Sequence, residues 1–86
     1  MRKIDFHQNR NIIHKKLRDA RIAKKLSQEE LAAQMQLMNV NIDQQMISKI
    51  ENNKRIVTDY ELVCFSRILE VEPEELLSDF DIFVEK

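Results

Sequence analysis

From about Asn11 to Lys25 the apolar residues Ile13, Leu17 and Ala20 fall at i, i+4 and i+7. That is one stripe of an α-helix, whose other faces carry Lys15, Lys16, Arg18, Arg21, Lys24 and Lys25. Ser27-Gln28-Glu29-Glu30 has the form of a capping box, in which the Ser27 hydroxyl accepts from the Glu30 amide and the Glu30 carboxylate reaches back to the Ser27 amide. A second helix is therefore expected from Gln28, with Leu31, Ala32 and Met35 inward and an end between Gln36 and Met38. Asn39-Val40-Asn41-Ile42 mixes β-branched residues with asparagines and reads as a turn. Asp43 is a suitable N-cap for a third helix, Gln44 to about Asn52, with Ile47 and Ile50 inward. Asn53 stands where a glycine often closes a helix, and asparagine is the next best residue for the left-handed conformation required there.

Thr58-Asp59-Tyr60-Glu61 repeats the capping box, and Leu62, Phe65, Ile68 and Leu69 continue from it as a helical stripe to about Glu70. Glu72-Pro73-Glu74-Glu75-Leu76-Leu77 sets proline at the first position of a short fifth helix, with acids in its first turn where they favour the helix dipole. Beyond it, Asp79 to Lys86 alternates Phe80, Ile82 and Val84 with acids, a period of two that predicts an extended tail. Met1 to Asn9 has no period and reads as an arm. The expected organisation is an arm over 1–9, an all-α domain of five helices over 10–78 and a tail over 79–86.

Composition narrows the class. The chain contains no glycine and one proline, which argues against a β-rich fold with tight turns. At 86 residues it buries a modest core and leaves little for a deep catalytic cleft, so surface recognition is favoured over chemistry. Apolar runs are short, and the basic start Met1-Arg2-Lys3 leads into Asp5 and His7, so neither a membrane span nor a signal peptide is read. The single Cys64 fits a reducing compartment, and a cytoplasmic location is expected. His7, His14 and Cys64 lack a compact ligand spacing, and no nucleophile has a base at a recognisable distance. No metal, cofactor or enzymatic activity is expected. The net charge of −1 hides a split: residues 1–55 hold twelve Lys or Arg against six Asp or Glu, and residues 56–86 hold two against nine. Such a chain can offer phosphates a positive face and turn an acidic one away.

Two capped helices joined by a turn, with cationic residues after the second, have a specific use. The major groove of B-DNA admits one α-helix, and side chains near that helix's N-terminus reach base edges. Gln44 and Gln45 lie there, and a glutamine amide matches N6 and N7 of adenine. Ser48 and Lys49, one turn on, are candidates for a further base or phosphate contact.

These residues resemble the Cro and lambda-repressor-like helix-turn-helix proteins, the XRE family, over roughly Ile13 to Leu77. The likeness is carried by Leu26-Ser27-Gln28-Glu29-Glu30-Leu31-Ala32, by Ile47-Ser48-Lys49-Ile50-Glu51-Asn52-Asn53-Lys54-Arg55, and by Leu69-Glu70-Val71 with Glu74-Glu75-Leu76-Leu77. The resemblance implies base contacts from Gln44 and Gln45, a phosphate contact from Gln28, and a backbone clamp of Asn52, Lys54 and Arg55. It also implies an ion pair between Arg21 and Glu51 that fixes the recognition helix to the first helix. One departure stands out: between Leu31 and Ile47 the family pattern is about five residues shorter. Either the second helix gains a turn through Leu37 and Met38, or Asn39 to Ile42 forms a loop able to touch the DNA.

The function expected is a sequence-specific transcriptional repressor that binds pseudo-palindromic double-stranded DNA as a homodimer, with the fifth helix and the apolar residues Phe80, Ile82, Phe83 and Val84 as a candidate interface. A protein-interaction or antitoxin-like module of the same fold is the alternative, its acidic C-terminal half docking a protein partner through Glu74 and Glu75.

Overall fold

The computed structural model describes residues 5–84, so the first four residues of the expected arm and the last two of the tail lie outside it. The elements are α1 (His14–Ala23), α2 (Gln28–Leu37), α3 (Gln44–Glu51), α4 (Asp59–Leu69), α5 (Pro73–Leu76) and α6 (Phe80–Val84). Among the described residues the only β-pairing is an isolated bridge between Phe6 and Asn9. The helix-turn-helix pair α2 and α3 packs together, with α1 against α3 and α4 against α2. Between them lies one core, in which Leu17, Leu31, Met35, Ile42, Ile47, Ile50, Phe65 and Leu76 are fully buried.

Local chemistry starts the helices as the caps predict. Ser27 Oγ accepts from the Glu30 amide at 3.0 Å while Glu30 accepts from the Ser27 amide at 2.8 Å. Thr58 and Glu61 make the same reciprocal pair ahead of α4. In α3 the cap is Asp43, and the return partner is a thioether: the Asp43 amide donates to Met46 Sδ at 3.4 Å, where a Glu or Gln carboxyl or amide oxygen is usual.

How the helices stop is less expected. A Schellman ending needs a left-handed residue, normally glycine, and this chain has none. α1, α2, α3 and α4 nevertheless all end this way, with Lys25, Asn39, Asn53 and Glu70 at φ of 63°, 63°, 63° and 59°. The paired bonds are present each time, for example from the Leu26 amide to the Arg21 carbonyl and from the Lys25 amide to the Ile22 carbonyl. At three of the four ends the next residue is apolar and packs on the core: Leu26, Val40 and Val71. The exception is Lys54, which follows α3 and is exposed.

The long connection between α2 and α3 resolves as a loop. α2 stops at Leu37, and residues 38–43 are pinned to the core by Val40 and Ile42, at 8% and 0% exposure. Gln36 Nε2 donates to the Ile42 carbonyl at 3.0 Å, and the Val40 amide to the Met35 carbonyl at 3.0 Å. Asn39, Asn41 and the N-cap Asp43, with the helix end at Leu37 and Met38, face outward.

At both ends of the described residues the structure departs from the expected arm and tail. Phe6 to Asn9 closes a tight turn by two backbone hydrogen bonds of 2.7 and 2.9 Å, with His7 and Gln8 both at positive φ. The tail is not extended: Phe80–Val84 is α6. Its period of two loses to tertiary contact, because Phe80 and Phe83, three residues apart, reach Phe6 and His14 only from one helical face. Phe80 stacks on Phe6 at 5.4 Å between ring centroids, and Phe83 on His14 at 5.5 Å. Burial pulls the His14 imidazole below its ordinary value of 6.5, with the Asp79 carboxylate acting in the opposite sense.

Left-handed geometry at a non-glycine residue costs roughly 1–2 kcal/mol. Lys25→Gly is therefore expected to stabilise the protein by about 1 kcal/mol in urea unfolding, whereas Ala33→Gly, in the interior of α2, loses about 1 kcal/mol. Equal losses from both substitutions would show that the Lys25 conformation carries no penalty.

Candidate nucleic-acid interface

With Asp43 as its cap, α3 presents Gln44 and Gln45 as its first two residues. Gln45 is exposed, and Gln44 is half-buried against α2. Gln44 Nε2 donates to Gln28 Oε1 at 2.6 Å, and Gln28 Nε2 donates to Glu51 Oε1 at 3.0 Å. Glu51 also takes two bonds from Arg21, from Nε at 2.7 Å and from Nη2 at 3.0 Å, while Arg21 Nη1 donates to the Leu26 carbonyl at 2.9 Å. A continuous chain of polar contacts thus runs from α1 through the base of α3 to the start of α2 and back to the first residue of α3.

Ser48 lies one turn further along α3, half-buried, and its hydroxyl accepts from Asn52 Nδ2 at 3.4 Å. Lys49, Asn52 and Lys54 are exposed. Arg55 sits differently. Its Nη1 and Nη2 grip the two carboxylate oxygens of Glu61 at 3.1 and 3.2 Å, and Nη1 also donates to the Ile56 carbonyl. Burial alone would raise the Glu61 carboxyl, but hydrogen bonds from Arg55 and Thr58, with the Arg55 charge, hold it below its ordinary value of 4.5. Arg55 ties the loop after α3 to the first turn of α4.

A helix-turn-helix model of protein families matches residues 17–76, from the middle of α1 to the end of α5. The chain belongs to the helix-turn-helix family, in its Cro and lambda-repressor-like, XRE branch. It is a DNA-binding regulator of that type. No curated protein and no solved structure matches it. No helix among the described residues is long and apolar enough to cross a membrane, and no group of three His, Cys, Asp or Glu among them is placed to hold a metal ion.

In this helix-turn-helix domain the α3 end is held by residues that sequence reasoning left in the arm or overlooked. Asn53 Oδ1 accepts from the backbone amides of Arg10 and Asn11 at 2.9 and 3.4 Å, and Asn53 Nδ2 donates to Asn9 Oδ1 at 2.9 Å. Asn11 Nδ2 donates to the carbonyls of Ile50 and Arg55 at 3.0 and 2.9 Å. Asn11 therefore closes one carbonyl of α3 and one of the loop that presents Lys54, while Asn9 holds the Asn53 side-chain amide. The local signal was Asn11 two residues before Ile13, whose amide it accepts. Its bonds across the chain left no local trace.

The Arg55–Glu61 pair gives a pH test. A carboxyl whose folded value lies below its unfolded value adds stability that is complete above the unfolded value and fades as pH falls through the folded one. Glu61→Gln should cost about 2 kcal/mol at neutral pH, and its stability should fall less steeply than wild type as pH drops below 4.5. Parallel pH profiles in chemical unfolding would show that the pair contributes nothing.

Proposed function

We propose that the protein is a sequence-specific transcriptional repressor that binds pseudo-palindromic double-stranded DNA as a homodimer, each copy laying α3 in the major groove. Gln44, Gln45, Ser48 and Lys49 read bases, and Gln28, Asn52, Lys54 and Arg55 lie against the phosphates. The observation that carries this reading is the bond from Gln44 to Gln28 at the start of a helix locked to its scaffold. A glutamine amide has two N–H bonds and a carbonyl oxygen. With one N–H held by Gln28, the other and the carbonyl oxygen remain for N7 and N6 of adenine, in an orientation set before DNA arrives.

Lys54 supports the same reading. Its counterparts at the other Schellman ends pack on the core, so an exposed cation at this place serves something outside the fold. Arg55, engaged by Glu61, holds that loop and has N–H groups to spare for a phosphate. The homodimer is supported by the economy of readout: one helix offers few base contacts, and two helices one DNA turn apart double them.

Selection from a random DNA pool at one stated salt concentration, with wild type and a Gln44→Ala, Gln45→Ala double variant, tests the reading. A two-half-site consensus that the variant no longer enriches is expected, and no enrichment by wild type would favour the protein-interaction module. Lys54→Ala should weaken binding across sequences and lower the slope of log affinity against log salt by about one. An unchanged slope would remove Lys54 from the phosphate contacts.

A further inference from the structure

α4 buries Glu61, Phe65, Ser66 and Leu69, and its opposite face carries Asp59, Tyr60, Val63 and Arg67. Two of these are large and apolar in part: Tyr60 is 60% and Val63 41% exposed, and Ile56, just ahead of the helix, is 42% exposed. Beside them a groove between α4 and α5 is lined by Val63, Ser66, Arg67, Val71 and Pro73, with acids at its edge.

The order of these residues is self-complementary. Asp59 lies four positions before Val63 and Arg67 four positions after it. When two copies of α4 meet antiparallel about a two-fold axis through Val63, each residue faces the one equally far on the other side, because a two-fold interface pairs the same patch with itself. Asp59 then faces the partner's Arg67 at both ends, Val63 meets the partner's Val63, and Tyr60 lies over the partner's groove. The charges are free for this. Arg67 has no carboxylate partner among the described residues, in common with Arg10, Arg18, Lys25, Lys49 and Lys54. Asp59 makes only a local bond, accepting from the Tyr60 amide. The competing surface is partly used up, since Phe80 and Phe83 of α6 stack on Phe6 and His14 of the same chain.

We infer that the outer face of α4 is the dimer interface, joining a second copy of this chain antiparallel through Asp59, Tyr60, Val63 and Arg67. The inference rests on the two-copy reading above and adds where the copies meet. α4 follows the loop of Lys54 directly, so joining there places the phosphate-facing loops of both copies beside the axis.

The test is sedimentation equilibrium, without DNA, of wild type, Asp59→Lys, Arg67→Glu and an equimolar mixture of the two variants. Each variant alone opposes like charges at both ends of the pair, and its self-association should be weaker than wild type by at least about tenfold. In the mixture the introduced Lys faces the introduced Glu at one end, and native Asp59 faces native Arg67 at the other. Dimers should therefore return on mixing, which a folding defect in either variant would not allow. Variants that dimerise like wild type, or a mixture that stays monomeric, overturn the interface while leaving two-copy DNA binding intact. A monomeric wild type overturns the interface together with the two-copy reading, and the half-site spacing found by DNA selection tells these failures apart.

Discussion

The carboxylate of Glu51 organises the domain. It is 8% exposed at the last position of α3, and a buried charge without partners would cost several kcal/mol. Two N–H bonds of Arg21 and one of Gln28 meet it, and no buried side-chain nitrogen or oxygen among the described residues lacks a partner. Any rotation or slide of α3 against α1 or α2 would break these bonds and leave the charge stranded. Apolar contacts of Ile47 and Ile50 hold α3 to the core but tolerate small shifts, while a bidentate guanidinium does not. The orientation of α3, and through Gln28 that of Gln44, thus depends on one polar cluster.

The far end of α3 is held by different means. Asn53 takes the left-handed turn, and Asn9 and Asn11 close around it from a segment more than forty residues earlier. The ring of His14 donates from Nε2 to the same Asn9 oxygen at 3.2 Å and stacks on Phe83. Asn9 and Asn11, backed through His14 by Phe83 of α6, therefore brace the loop of Lys54 and Arg55. On the proposed reading, α3 fixed at each end would meet DNA with its side chains already placed, which reduces the ordering entropy that binding must overcome.

A protein without glycine has to place its left-handed turns on other side chains. Asparagine, at Asn39 and Asn53, does so at the lowest strain because its short amide tolerates the conformation. Lys25 and Glu70 are costlier choices, and Glu70 recovers part of that cost by pairing with Lys24 at 2.7 Å. The connection between α2 and α3 follows the same logic: its added length is absorbed by Val40 and Ile42 in the core rather than by a free loop.

The sequence by itself determined where α2, α3, α4 and α5 begin and which faces of the first four helices turn inward. Capping boxes and amphipathic stripes link residues three or four apart, and such distances are set by helix geometry alone. Asn53 as a helix stop was legible for the same reason. The Arg21–Glu51 bond spans thirty residues, and only the family likeness pointed to it. Tertiary structure alone decided the rest. It turned an alternating tail into α6 by offering Phe6 and His14 to one helical face, and it recruited Asn9 and Asn11 to the end of α3. It also joined Arg55 to Glu61, six residues away across a loop whose conformation no local pattern specifies. Each of these depends on which distant surface a side chain meets, and that is a property of the packed molecule.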